Sequence, residues 1–358
     1  MAQPIRVGVV GCGEVAQIIH LPTLRDLNGL FQVTALCDVS RAVLDAVGAA
    51  LPSAKTFTDH RDLLGSGDAD AVLIANPHVY HAGVAVDAMK AGKHVLIEKP
   101  MCITLDEADE MLAAEQKYGV TAQVGFMRRH APAFTEAVNR IAAIRGEIIL
   151  ARVHDVIGQN ALIIESTTPV ARGKDIAEEV LAHGRAAMAD ATRKAIGIGE
   201  GPKANAYGLL LGLSSHDISA MRELIGKPEA VLNATLRNGG RALTAAFDYG
   251  HFVCQFQTAV DSIPHFDAHL EVNTPDEIIR VDYDTPYIRH LPAKLTVMRM
   301  HGEAGFSQET SYPTRYDSFG VEWRDFHENI TRKRQPKTSI ADAREDLVLF
   351  RRMIELMA

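Results

Sequence analysis

Three short stretches of this chain hold residue types that could do chemistry. "HVLIEKP", residues 94–100, is an apolar strand that ends on Glu98, Lys99 and Pro100. Proline cannot donate to a ladder, so the strand stops there and leaves an acid and a base side by side at its tip. A lysine so placed can take a hydroxyl proton, or stabilise the alkoxide, as a hydride leaves the same carbon. Shielding from water and a nearby positive charge both lower its pKa towards that task. Glu98 would limit that fall and position the ammonium; the alternative is a surface ion pair that merely ends a strand. "GCGEVA", residues 11–16, spells GxGxxA. The third stretch is "SSHDISAMRELIG", where His216 is of the residue type whose unperturbed pKa, near 6.5, suits a general acid or base.

The elements around them decide what they mean. "IRVGVVGCGEVAQIIH" reads as strand, glycine turn, helix. Gly11 allows a tight turn, Gly13 lets backbone approach a pyrophosphate, and Ala16 permits close packing of helix on strand. Glu14 and Val15 fill the turn between, and the helix amino terminus faces the phosphates. A second strand, "FQVTALCD", ends on Asp38, about 20 residues after the fingerprint, where an acid grips the adenosine ribose. A carboxylate there repels a ribose phosphate, so NAD is expected over NADP, with Arg41 close enough to keep NADP as the alternative. "ADAVLIANP" and "KHVLIEKP" are further apolar runs of buried parallel type, the first followed by the helical "HAGVAVDAMKAG". The expected fold of this part is a doubly wound parallel sheet with its ligand outside the carboxyl ends. Asn76, Pro77 and His81 at one strand tip and Glu98 and Lys99 at another then point into one crevice.

Bulk properties exclude several classes. With 358 residues the chain exceeds one small core and accommodates two domains. Scattered basic residues and a net charge of −8 argue against nucleic acid and anionic membrane as partners. No apolar run approaches the roughly 20 residues of a membrane helix, and the start lacks the pattern of a signal peptide. Cys12, Cys37, Cys102 and Cys254 are widely spaced, which reads as reduced thiols in a cytoplasmic protein. The histidines show no zinc spacing, so no metal is expected.

With these pieces assembled, the chain resembles the glucose–fructose oxidoreductase / inositol dehydrogenase (Gfo/Idh/MocA) family. The residues that carry the likeness are "GVVGCGEVA", "CDVSR", "ANPHVYHAGVAVDAMKAGKHVLIEKP", "GFMRRHAPAF", "SSHDISAMRELIG" and "WRDFHENITRKRQPKTSIADAREDLVLFRRMIE". The resemblance implies a Rossmann domain, expected over 1–125, and an α/β domain over 126–358 built on a large open, mostly antiparallel sheet. It implies oxidation or reduction of a hydroxyl on a sugar, sugar derivative, glycoside or inositol by a nicotinamide cofactor, and a homodimer or homotetramer. In that picture Glu98 and Lys99 approach the nicotinamide, His81 lies on the cofactor side, and the bond before Pro100 is often cis.

The family's helix usually presents an aspartate four residues before the histidine; here that position is Gly212. His216 then remains the acid/base with an orienting carboxylate from elsewhere, Asp155 being the candidate. Alternatively Gly212 makes room for a bulkier substrate, or the site has lost turnover. Asp217, one step along, is rotated by about 100° and does not share that face. Arg128 could bind a substrate hydroxyl or carboxylate, or form an interdomain salt bridge. His154 and Tyr207 could face substrate, and core positions on a strand and a helix explain them equally. An extended segment, about 158–205, reads as a helix with Asp175 as N-cap and Gly197 past its end. Residues 154–174 are the expected seat of substrate selectivity. Two rival functions are an elimination that regenerates NAD and a cofactor-sensing binding protein.

Overall fold

The computed structural model describes residues 3–314 and 316–357. The chain forms two compact units. The first holds residues up to Gly125 together with Thr168–Gly199 and Glu322–Leu347. Its strands are β1 (Ile5–Val10), β2 (Phe31–Cys37), β3 (Lys55–Phe57), β4 (Ala71–Ile74), β5 (His94–Glu98) and β6 (Ala122–Gly125). They pair in the order β3-β2-β1-β4-β5-β6, all parallel. The central strands are buried on both faces, which is why β4 and the body of β5 read as unbroken apolar runs. Every carboxyl end therefore lies on one edge of the sheet, where the glycine turn, Asp38, Asn76 and Lys99 emerge.

Gly11 shows why that edge is tight. Its φ is +91°, and a Cβ there would lie 2.3 Å from the backbone nitrogen of Asn76. A side chain is excluded both by conformation and by the close approach of the turn after β4. At Gly13 an added Cβ would meet nothing within 4 Å, so that side of the turn is open.

An expected single cut after residue 125 puts everything later in the second domain, and the packing differs. Trp323 and Phe326, from helix Ser318–Thr331, are buried in the same apolar cluster as Val9, Leu36, Leu73 and Leu96. Burying such aromatic surface contributes on the order of 2–3 kcal/mol per side chain. The late helix therefore belongs to the first unit by its core, whatever its place in the sequence.

The second unit holds Phe126–Thr167, Glu200–Val321 and the chain from Val348. Its strands are β7 (Leu150–Ile157), β8 (Ala230–Arg237), β9 (Ala242–Asp248), β10 (Val253–Val260), β11 (Phe266–Asn273), β12 (Glu277–Tyr283), β13 (Lys294–Met300) and β14 (Phe306–Ser311). The order is β14-β13-β12-β11-β7-β10-β9-β8; only β7 and β10 run parallel. Helices Pro132–Ile144 and Ser215–Ile225 cover one face. Along β7, Ala151, Val153, Asp155 and Ile157 are buried, whereas the alternate residues are half-buried or exposed on the other face. The fold is thus α/β, a Rossmann sheet followed by a large, mostly antiparallel one. Among the described residues no helix is long and apolar enough to cross a membrane.

Two helices depart from their expected form. The helix around His216 begins at Pro202 and is interrupted by a π-turn, Leu210–Ser214, before Ser215–Ile225. The π-turn lies directly ahead of His216 and takes in Gly212, so the four-residue spacing of an α-helix does not hold between the two. The later helix runs Glu178–Ile196 with Ala177 as its N-cap and Gly197, at φ 78°, closing its end. Asp175 is not its cap. Its carboxylate instead reaches Ser40 and the backbone N–H of Ala42.

Candidate active site

The nucleotide end of the first unit is built from backbone donors and one carboxylate. The Asp38 carboxylate accepts the N–H of Cys12 at 2.9 Å on Oδ2 and the N–H of Ser40 at 2.9 Å on Oδ1. This ties the acid at the end of β2 to the middle of the glycine turn. Val15 and Ala16 lead into a π-turn, Ala16–His20, with Ala16 buried against the sheet. Glu14 pairs with Arg172 at 3.0 Å, and Arg41 is exposed in the first turn of helix Arg41–Gly48. A dinucleotide fits this arrangement: a glycine at φ +91°, an open face at Gly13, and a carboxylate fixed at the end of β2 on the same edge.

The Lys99 turn is held from both sides. Glu98 is buried, and its Oε1 lies 2.8 Å from Nε2 of His20. Nδ1 of His20 accepts the indole N–H of Trp323 at 3.0 Å. An indole nitrogen only donates, so His20 carries its proton on Nε2 and donates it to Glu98. The other carboxylate oxygen, Oε2, accepts the backbone N–H of Lys99 at 3.1 Å. The Lys99–Pro100 bond is cis, and the Pro100 carbonyl lies 2.8 Å from Nδ1 of the fully buried His81. Nε2 of His81 lies 2.7 Å from the carbonyl of Asn76. The His81 ring thus packs between the Lys99 turn and the turn after β4, which Pro77 continues, and with one ring N–H it donates to one of the two carbonyls.

The charges follow from these contacts. Burial alone would raise the Glu98 carboxyl, but the His20 hydrogen bond and the nearby Lys99 charge hold it below its ordinary value. For His81, burial wins and lowers the pKa against the two carbonyls, which favour the doubly protonated ring. Beside them lies Glu322, fully buried, with neither carboxyl oxygen hydrogen-bonded among the described residues. Burial and the Glu98 charge push its pKa well up.

In the second unit the sequence candidates separate into two groups. Arg128 is buried and donates through one guanidinium nitrogen to Asp155 Oδ2 at 3.0 Å and to Asp217 Oδ1. The rings of Tyr283 and Phe266 flank it at 5.3 and 5.4 Å. Burial and the Asp155 charge raise the Asp217 carboxyl well above its usual range, against the pull of Arg128. Asp155 thus serves Arg128, and the ion pairs of Arg128 lie within this unit. His216 is buried with its ring edge-on to Phe126 at 6.4 Å between centroids, and Tyr207 is buried in the preceding helix. His154 emerges on the other face of β7. It stacks on His269, with centroids 4.8 Å apart, and lies 3.2 Å from Asp267. His154 and Asp155 therefore cannot line one site, because neighbouring residues of a strand face opposite ways.

Reading the sequence missed His20, Trp323, Glu322 and the true place of Asp175. His20 lies 78 positions from Glu98 and 303 from Trp323, and no local pattern links them.

The fold and the glycine turn define a dinucleotide-binding unit of Rossmann type. Residues 5–126 match the model of the Gfo/Idh/MocA oxidoreductase family with an NAD-binding Rossmann fold. An uncharacterised oxidoreductase of Bacillus subtilis, YrbE, is 34% identical over 134 residues, covering 37% of this chain and 39% of that protein. An inositol 2-dehydrogenase of Salmonella typhimurium is 34% identical over 149 residues, covering 40% of this chain and 43% of that protein. These matches span less than half the length of either relative. Across the whole fold, the 3-ketoreductase KijD10 of Actinomadura kijaniata, solved with NADP and TDP-benzene, superposes with a TM-score of 0.75 at 19% identity, covering 99% of this chain and 98% of that one. The myo-inositol 2-dehydrogenase of Lactobacillus plantarum gives 0.72 at 19% identity, covering 98% and 96%.

Proposed function

We propose that the protein is an NAD-dependent dehydrogenase or reductase acting on a CH–OH group of a polyhydroxylated substrate such as a sugar derivative or inositol. The observation that carries this reading is the Lys99 turn: a lysine backbone gripped by Glu98, and a proline carbonyl set against the buried His81 ring, on the sheet edge that bears the glycine turn. Gly11, Gly13, Ala16 and Asp38 would hold the dinucleotide, which when bound supplies the acceptor for the hydride. Lys99 would stabilise the alkoxide that forms as the hydride leaves. Glu98, kept ionised by His20, fixes the lysine's backbone and sets a negative charge beside it. His216 is assigned the removal of the hydroxyl proton. The substrate class is taken from the inositol 2-dehydrogenases among the relatives.

The test is a single turnover. Protein loaded with NAD is mixed with pools of sugars, glycosides and inositols, and nicotinamide absorbance is followed. Reduction by one pool, with Lys99→Ala slowed about 100- to 1,000-fold, is the expected result for loss of a group that stabilises the alkoxide. No reduction by any pool that binds would overturn the reading.

A further inference from the structure

Asp175 lies in a strap, residues 168–177, that crosses the carboxyl edge of the first unit's sheet before helix Glu178–Ile196 begins. Three contacts fix the strap. Gln17 both donates to the Ala171 carbonyl at 2.9 Å and accepts the Ala171 N–H at 2.8 Å. Arg172 pairs with Glu14 in the glycine turn at 3.0 Å. At Gly173 an added Cβ would fall 2.9 Å from the Ser40 Cβ and 2.8 Å from Ile176 Cδ1, so glycine lets the strap lie against the end of β2. The next side chain but one is Asp175. Its carboxylate accepts the Ser40 hydroxyl on Oδ1 and the Ala42 N–H, at 3.1 Å, on Oδ2. These donors follow Asp38 directly.

We infer that Asp175 selects the cofactor: its carboxylate takes the place, and the donors, that the 2′-phosphate of NADP would need beside Ser40 and Ala42. A ribose held by Asp38 directs its 2′-substituent towards the residues that follow that acid, where NADP enzymes recognise the phosphate with hydroxyls, backbone N–H groups and arginine. Ser40, Ala42 and Arg41 form such a set, and the strap fills it with an internal anion. A 2′-hydroxyl meets no such obstacle. Asp38 alone disfavours a phosphate; Asp175 adds a second negative charge and consumes the hydrogen bonds that could offset it. Selectivity would thus be written in a segment 137 positions away from the fingerprint's own acid (175 − 38).

This inference rests on the dinucleotide reading above, and its test uses binding alone. Dissociation constants of NAD, NADP, 5′-ADP and 2′,5′-ADP are measured by calorimetry for wild type, Asp175→Ala and the near-isosteric Asp175→Asn. Wild type should prefer NAD over NADP by at least about 100-fold. Asp175→Ala should cut that ratio at least about tenfold, by tighter binding of NADP and 2′,5′-ADP with NAD and 5′-ADP unchanged; Asp175→Asn should fall between. An unchanged ratio in Asp175→Ala, equal wild-type affinities, or a parallel loss of all four ligands would overturn the inference and leave the dehydrogenase reading standing. Failure of wild type to bind either dinucleotide would overturn both.

Discussion

At the scale of residues, the proposed role of Lys99 rests on what holds its neighbours. Trp323 sets the tautomer of His20, His20 fixes one oxygen of Glu98, and the other oxygen fixes the Lys99 backbone. A hydrogen bond to a buried carboxylate is worth about 1.5–3 kcal/mol. His20→Ala should therefore lower the unfolding free energy by roughly that amount, read from urea denaturation midpoints. His20→Gln, which keeps an N–H donor, should recover part of the loss; equal loss in both variants would argue for packing alone. Glu322 makes the opposite prediction with pH. Its folded pKa lies well above the unfolded 4.5, so the folded state binds more protons and stability falls as pH rises from about that value. Glu322→Gln removes that dependence. In thermal unfolding the variant should gain on wild type between pH 5 and pH 8.5, and a constant gap across that range would contradict a raised Glu322 carboxyl.

At the scale of elements, what was legible in the sequence is what is local. The glycine turn, the parallel strands and Asp38 are short patterns with fixed spacing, and each lies where the pattern places it. The relay to Glu98 was not legible, because its partners meet only after helix Ser318–Thr331 packs on the sheet. Asp175 was misread for a physical reason: an acid shortly before a helix usually caps that helix, but here a different amide, that of Ala42, lies closer. The π-turns, Ala16–His20 and Leu210–Ser214, contain His20 and precede His216, and leave no mark in hydrophobic spacing. The glycine turn offers a paired prediction. Gly11→Ala meets a positive φ and the Asn76 backbone, and should destabilise by more than the roughly 1–3 kcal/mol of conformational strain alone. Gly13→Ala meets nothing. It should leave the melting temperature unchanged while weakening NAD at least about tenfold, as expected if backbone there must touch the pyrophosphate. Equal effects of the two substitutions on stability would contradict this division of roles.

At the scale of the whole molecule, the chain consists of a dinucleotide unit that collects three separated stretches of sequence and a second unit built on an eight-stranded sheet. The family match covers the first unit's strands, whereas the likeness across the second is one of fold. Its buried Arg128–Asp155–Asp217 cluster was legible only as separate charges, since two of the three lie 27 and 89 positions from the arginine. The central claim is that a hydride passes from a substrate carbon to nicotinamide at the Lys99 turn. The most direct measurement supplies NAD-loaded protein with polyols and inositols deuterated at carbon and examines the recovered nicotinamide by mass spectrometry and NMR. The account predicts deuterium at C4 on a single face of the ring for wild type, and none on the same timescale for Lys99→Ala. Recovery of unlabelled nicotinamide from a protein that demonstrably binds both NAD and substrate would contradict it.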